Sequence, residues 1–390
     1  MSINPSSVES LLPAVAEVQR RAVIPVSEPS ISPLELKYVT DAIQSGWISS
    51  VGPYLTQFEE EWARFCGRQY GVAVTNGTVA LEMAISVLDL PSDSEVILPS
   101  FTIVSSLEAV LRNGFTPVLV ECDPKTYCMD VDDVRAKLSG KTAAIMPVHI
   151  YGHPVNMQPL LDLAEERGLK IIEDAAEAHG AECLVHGVWK KCGSFGEVSA
   201  FSFYANKNIT TGEGGIVLTD SAELAGRLRS RRNLCFGRNE RFLHEGRGWN
   251  YRMTNVAAAL GCAQIRRADE LIARKRQLAS AYTQGLRGLP LQLPYIESWA
   301  RSSVWMYAIV LADCVPFDAR TFAALLLEEG IDTRPFFLGM HEQPVYAHWF
   351  PNLHFPVTER IARRGLYLPS GQTLTEESIA KVVAAARSIL

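Results

Sequence analysis

Four stretches of this chain carry residue types able to do chemistry, and the sharpest is Phe201 to Val217, FSFYANKNITTGEGGIV, with Lys207 near its centre. An amine there can attack a carbonyl carbon or carry a proton, although taken alone a lysine in a polar loop reads as a solvated surface charge. The second stretch, Glu173-Asp174-Ala175-Ala176-Glu177, follows the apolar run Lys170-Ile171-Ile172 and puts a carboxylate at the end of a central strand. Burying that charge is costly unless a cation meets it; the competing reading is a helix cap, for which Asp-Ala-Ala-Glu is suited. The third is Thr75-Asn76-Gly77-Thr78, between the apolar run Gly71 to Val74 and a helical pattern from Val79 to Leu88. A strand, a glycine turn and a hydroxyl at a helix start can hold a phosphate or carboxylate, or be a capped helix and no more. The fourth is a basic, glycine-bearing stretch from Arg231 to Gly248 that runs into Trp249-Asn250-Tyr251-Arg252-Met253-Thr254-Asn255. Its arginines can bind an anion or stay solvated. A further loop, Trp47-Ile48-Ser49-Ser50-Val51-Gly52-Pro53, offers an indole beside two hydroxyls that suits a sugar or base, or else plugs a domain seam.

Metal chemistry is not expected. His149, His153, His179, His186, Cys183 and Cys192 cluster in sequence, but none has zinc-ligand spacing, and the HxxxH here follows a strand instead of lying on a helix.

The elements that must position these groups alternate between strand and helix. Strand-like runs recur at Glu95 to Leu98, Pro117 to Val120, Ala143 to Val148 and Leu169 to Ile172, with helical patterns at Val104 to Arg112, Asp132 to Leu138 and Met157 to Arg167 between them. That alternation predicts a mainly parallel sheet covered on both faces, with ligands at the carboxyl ends of its strands. Val198 to Phe203 and Gly215 to Thr219 are joined by roughly eleven residues, too few for a parallel crossover, so they are expected to run antiparallel with Lys207 on the loop between them. A helix is expected after Ser32-Pro33, with Leu34, Tyr38, Ala42 and Ile43 on one face, and a long helix over roughly Val256 to Leu286. From about Pro290 the pattern becomes α+β. We expect an N-terminal arm over 1–22, a large α/β domain over 23–265 and a smaller C-terminal α+β domain over 266–390.

Composition limits the partners. The chain has 390 residues, 47% hydrophobic and 21% charged, which is ordinary for a folded protein with a large core. A net charge of -6 gives no basic footprint for nucleic acid or anionic membrane. No apolar run approaches the length of a membrane helix, the first residues do not read as a secretory signal, and the eight cysteines contain no CxxC pair. A cytoplasmic protein with reduced thiols is expected.

Taken together, Asn76-Gly77-Thr78, Glu173 to Glu177, Ser202, Lys207 with Thr211-Gly212-Glu213-Gly214-Gly215, and Asn250 to Asn255 resemble the pyridoxal-phosphate-dependent nucleotide-sugar aminotransferases of the DegT/DnrJ/StrS family. The likeness runs from about Ile24 to the C-terminus. It implies a fold-type I (aspartate aminotransferase-like) architecture, pyridoxal 5'-phosphate as cofactor, L-glutamate as amino donor and a homodimer with active sites at the subunit interface. Lys207 is implied to carry the cofactor and move protons, and Asp174 to pair with its ring nitrogen. Gly77, Thr78 and Ser202 would hold the phosphate, Ile103 and Ala176 would pack the ring, Glu177 would lie near its hydroxyl, and Asn250 would reach the phosphate from the other subunit. Substrate contacts are implied at Trp47, Ser49, Ser50, Arg252, Arg334 and His341. Many relatives have an aromatic residue where Ile103 stands, and the family's sugar 3-dehydratases have histidine where Lys207 stands, so transamination is the implied reaction. Trp47 to Ser50, Trp305-Met306-Tyr307, Thr333 to Phe337 and Met340-His341 are most like the branch that aminates C4 of GDP-linked 4-keto-6-deoxymannose. Another nucleotide-linked keto sugar or a keto-cyclitol is the alternative, and a silent regulator on the same fold a more distant one.

Overall fold

Seven strands of five residues or fewer form the main sheet of the computed structural model, which describes residues 23–237, 240 and 242–390; the expected arm over 1–22 lies outside the described residues. The strands are β1 (Tyr70–Val74), β2 (Glu95–Pro99), β3 (Thr116–Val120), β4 (Thr142–Ile145), β5 (Lys170–Asp174), β6 (Val198–Ser202) and β7 (Gly215–Thr219), in spatial order β1-β7-β6-β5-β4-β2-β3. Six run parallel. β7 is reversed, pairing antiparallel with both β1 and β6, with Ser202 opposite Gly215 and Val74 also opposite Gly215. The short connection therefore reads correctly, and it brings the carboxyl ends of β1 and β6 to the same rim where β7 begins.

Both faces of the sheet are buried, as parallel strands require. Ile97 of β2 packs with Val120, Ile145 and Leu160 on one side, while its neighbours Val96 and Leu98 pack with Leu81, Leu107 and Val110 on the other. A third cluster gathers around Trp62, whose indole meets Phe201 at 5.2 Å and Phe203 at 4.9 Å between ring centres, both edge-on. The C-terminal part builds a four-stranded antiparallel sheet from Leu291–Gln292, Tyr307–Leu311, Gly365–Leu368 and Arg334–Pro335, covered by helices Ala319–Glu328 and Glu376–Ile389.

Two sequence expectations need correction. The long helix breaks at Arg267 into Asn255–Arg266 and Ala268–Leu286, without glycine or proline at the break. The Arg267 guanidinium is drawn to the buried carboxylate of Glu35 at 2.8 Å, and Glu35 also closes the capping box with Ser32 at the start of helix Pro33–Gln44. Ile43 of that helix is exposed, not buried. The cysteine- and histidine-bearing stretch 182–192 is a hairpin, Glu182–Val185 with Val188–Lys191, turning on His186 and Gly187 with φ of 48° and 76°.

Lys275, in helix Ala268–Leu286, is fully enclosed and donates its ammonium hydrogen bond to the carbonyl of Ser370, which ties the helix to the C-terminal sheet. Burial alone pushes its pKa down to about 7. The folded state therefore binds fewer protons than the unfolded chain between about pH 7 and 10.5, and stability rises with pH across that window. Lys275→Met is expected to remove this slope, worth up to a few kcal/mol near pH 7; denaturant titrations of both proteins at pH 7 and pH 10 measure it.

Candidate active site

The rim where β1, β5 and β6 end encloses a cavity of about 660 Å³. It brings together Gly77, Thr78, Ile103, Asp174, Ala176, Glu177, Ser202 and Lys207, which the sequence spreads over more than a hundred positions. Each arrives by a local rule. Helix Gly77–Ser86 starts directly after β1, capped by the Asn76 side chain, which accepts from the Val79 N–H at 3.0 Å. That cap leaves the N–H groups of Gly77 and Thr78 without a partner among the described residues, at the positive end of the helix. Gly77 is required by close approach: a Cβ there would stand 2.6 Å from the Cβ of Ser202. The Thr78 hydroxyl lies 2.7 Å from that of Ser105.

Asp174 ends β5 and is buried. Its Oδ2 accepts from the Ser106 hydroxyl at 2.8 Å and its Oδ1 from the Ala176 N–H at 3.1 Å. Desolvation raises its pKa, more than these bonds and the charge of Lys207 lower it. Lys207 Nζ sits 3.8 Å from Glu177 Oε1 and 3.5 Å from the centre of the Trp305 ring. Burial lowers its pKa against the pull of Glu177 and Asp174, so its amine loses a proton more readily than an ordinary lysine. Glu177 is itself raised by burial, and its Oε2 accepts from the Tyr151 N–H at 2.7 Å. Tyr151 makes that bond from φ 52°, a left-handed conformation that bulky residues rarely adopt.

The loop carrying Lys207 is held on both flanks. The Trp305 indole N–H donates to the Asn206 carbonyl at 2.8 Å and the Gln372 amide to the Asn208 carbonyl at 2.8 Å. His179 Nδ1 accepts from the Ile209 N–H at 3.2 Å, so its Nε2 carries the proton and donates to the Ser202 carbonyl at 2.9 Å. Burial drives the His179 pKa down to about 3, so it works as a neutral strut.

His149, Glu173 and Cys192 have ligand atoms within 4.8 Å of one another, the arrangement a metal could use. The lone pairs of Glu173 and His149 are otherwise engaged. Glu173 accepts from Gly193 N–H at 2.5 Å, Phe195 N–H at 2.8 Å and His149 Nε2–H at 2.8 Å, and His149 Nδ1 accepts from Val155 N–H at 2.9 Å. The group pins the back of β5.

The other predicted residues lie elsewhere. Asn255 donates its side-chain amide to the Trp47 carbonyl at 2.7 Å and accepts from Tyr54 N–H at 3.0 Å, which fixes the 47–54 loop against the 250–255 segment. Tyr251 lines the Lys207 cavity, whereas Asn250 and Arg252, on either side of it in extended backbone, do not. The Arg252 guanidinium bonds the Asn250 and Asn233 side chains at 2.8 and 2.9 Å and lines a separate hollow with Ser50 and Arg232. Trp47, Ile48 and Val51 beside them are 51%, 55% and 64% exposed. Ser49 is held by its carbonyl, which accepts from Asn255 N–H at 2.6 Å. Arg334 pairs with Asp332 at 2.6 Å, and buried His341 with the Ser100 hydroxyl at 2.8 Å; neither lines the cavity.

Residues 29–387 match the DegT/DnrJ/EryC1/StrS aminotransferase family. The chain belongs to that family. It is 39% identical over 360 residues to the GDP-perosamine synthase of Vibrio cholerae, covering 92% of this chain and 97% of that one, and 38% identical over 356 residues to that of Escherichia coli O157:H7, covering 91% and 95%. Among solved structures, the aminotransferase TlmJ from Streptoalloteichus hindustanus superposes with a TM-score of 0.86 at 30% identity, covering 94% of this chain and 98% of that one. DesI, solved in the presence of its TDP-sugar product, gives 0.84 at 31%, covering 95% of both.

Family membership makes this a fold-type I aminotransferase with pyridoxal phosphate as cofactor, and the cavity passes a chemical test for it. A phosphate needs donors, which the unpartnered N–H groups at Gly77 and Thr78 and the hydroxyls of Thr78 and Ser202 provide. A protonated ring nitrogen needs a carboxylate in a dry site, and the buried Asp174 offers one. The amide oxygen of Asn206, buried in the cavity wall without a partner among the described residues, is a further polar group left for a ligand. Sequence reasoning missed Ser105, Ser106, Tyr151, Asn206 and the cavity-lining pair Glu82 and Arg112. For Ser106 a signal existed: Thr102 and Ser106 are hydroxyls four residues apart at a helix start, the second on its buried face.

Proposed function

We propose that the protein transfers the amino group of L-glutamate to C4 of GDP-4-keto-6-deoxymannose, giving GDP-perosamine. The observation that carries this reading is the 38–39% identity to GDP-perosamine synthases over more than nine-tenths of the chain. When bound, pyridoxal phosphate supplies a ring that accepts the electron pair left on carbon when a proton is removed. In this reading Asp174 keeps the ring nitrogen protonated, and the cofactor supplies the cation that the buried carboxylate otherwise lacks. Lys207 would carry the cofactor, and its Nζ would hold and move the proton, for which a lowered pKa suits it. Glu177 faces Lys207 and would lie near the ring hydroxyl, Ile103 and Ala176 would pack the ring, and Gly77, Thr78 and Ser202 would hold the phosphate.

Incubation with glutamate and either GDP-4-keto-6-deoxymannose or the TDP-linked 4-keto-6-deoxyglucose, with products weighed by mass spectrometry, tests the substrate. The GDP sugar is expected to be preferred by about tenfold or more in kcat/KM. A preference for the TDP sugar would favour the second reading, which the likeness to DesI with its TDP-sugar product supports.

The proposal includes a homodimer in which Asn250, Arg252 and Trp47 to Ser50 serve the partner's cavity. Its support is that these polar groups sit beside an exposed apolar patch and do not line their own chain's cavity. Arg334 and His341 are proposed to meet the sugar nucleotide at the same interface. Lys207→Ala and Asn250→Ala proteins, each impaired alone, are expected to recover about a quarter of wild-type activity when co-expressed, because half of random pairs carry one intact site. Failure of the mixture to exceed its parents would sink the shared-site reading.

A further inference from the structure

Behind the wall of the Lys207 cavity lies a larger one, of about 840 Å³. The two share a partition. Val304 and Met306 line the second cavity while Trp305 between them lines the first, and Tyr151 lines the second while its N–H reaches Glu177 in the first. The Trp305 N–H in turn donates to the Tyr151 carbonyl at 2.9 Å.

The charge on this second cavity is one-sided. Lys125, Arg276, Arg287 and Arg301 line it, and among the described residues no carboxylate does, in a chain whose net charge is -6. Of the four, Arg301 is matched by Glu182 at 2.9 Å. Arg276 bonds only carbonyl oxygens, of Ser302 at 2.9 Å and Gly180 at 3.4 Å, and no carboxylate among the described residues pairs with it directly, the negative charges acting on it being those of Glu182 and Asp269. The Arg287 side chain has no partner among the described residues, and the Lys125 ammonium stands 5.5 Å from the centre of the Tyr295 ring. Tyr295 and its neighbour Ile296 are 46% and 49% exposed and form an apolar wall beside these cations. A single carboxylate would occupy one cation and leave the rest unmatched. Two linked phosphates match a spread of guanidinium and ammonium donors, and an aromatic base suits the tyrosine wall.

We propose that this cavity is a second binding site, for a nucleoside diphosphate, distinct from the cavity that holds Lys207. It is independent of which sugar the active site accepts. Its wall is the Tyr151–Trp305 partition, so a ligand there presses on the residues that position Glu177 and Lys207.

Equilibrium dialysis of the holoenzyme with GDP tests it. The probe variant is Lys125→Glu with Arg287→Glu, two exposed positions on the rim. The wild type is expected to bind one more GDP per chain than this variant, with affinity for that site falling about tenfold or more and turnover without GDP staying within about twofold. Inorganic pyrophosphate is expected to displace GDP from the same site, and UDP to bind there nearly as well, since stacking tolerates either base. The milder Lys125→Gln with Arg287→Gln pair is expected to weaken the site by about threefold, which separates charge from misfolding. Equal GDP stoichiometry and affinity in the wild type and both variants overturns the proposal, as does failure of pyrophosphate to compete.

Discussion

Replacing Lys207 by alanine is expected to lower amino transfer by about four orders of magnitude or more, because in the proposed function one amine both carries the cofactor and moves the proton. The surrounding geometry says which property matters. Nζ is buried against the Trp305 ring and faces Glu177 at 3.8 Å, so it is a positive charge in a dry site as well as a base. Lys207→Arg separates the two, since it keeps the charge and cannot lose its proton. Steady-state rates of both variants with glutamate decide between these roles. Equal inactivity means the free amine is needed; substantial activity in Lys207→Arg would reduce Lys207 to an electrostatic part and overturn its proposed role. The Lys207→Ala protein should still fold, because Glu177, already pushed up by burial, is held as its neutral acid once the lysine is gone.

Asp174→Asn is expected to lower turnover by about a thousandfold and, in the cofactor-free protein, to raise stability by on the order of 1 kcal/mol. The sign follows from burial. Desolvation holds the Asp174 pKa above its unfolded value, so the folded apoprotein favours the neutral acid and loses stability as pH rises through the folded pKa. Asparagine is neutral at every pH and nearly the same shape. Its oxygen can keep the bond from the Ala176 N–H, while its amide can donate to the Ser106 hydroxyl, which turns toward Thr102 at 3.0 Å. Melting curves of wild-type and variant apoprotein at pH 5 and pH 8 measure the effect. The gap between them should be larger at pH 8. A destabilised apo variant at pH 8 would mean that Asp174 is structural and not a charge kept for the cofactor.

Much of this site is legible in the sequence because each part follows a strand. Lys170-Ile171-Ile172 predicts a buried strand, so the acid that follows must sit at its end. The spacing between Val198 to Phe203 and Gly215 to Thr219 excludes a parallel crossover, which alone puts Lys207 over the carboxyl rim. What is not legible depends on partners far away in the chain. Ser106 meets Asp174 across 68 positions, and Trp305 supports the lysine loop across 99. The break at Arg267 has no local cause either: it follows a carboxylate, Glu35, 232 positions earlier. Tyr151 is unreadable for a different reason, since a tyrosine gives no hint of a positive φ, and the conformation persists because its N–H is fixed by Glu177. The resemblance carried Asn250 and Arg252 as site residues, and the period-two alternation about Tyr251 gives a physical reason for their facing away from their own cavity.

The pinning of the 47–54 loop by Asn255 bears on how such a protein can diverge. Gly52 sits at φ 153°, and a Cβ there would lie 2.4 Å from the Asn255 side chain, so these two positions can change only together. Trp47 to Ser50 are held through backbone carbonyls instead, at Trp47 and Ser49, and their side chains are free to vary without loosening the loop. Selection can thus vary these side chains one residue at a time, while the Gly52 and Asn255 pair drifts only through coupled substitutions and should covary among relatives.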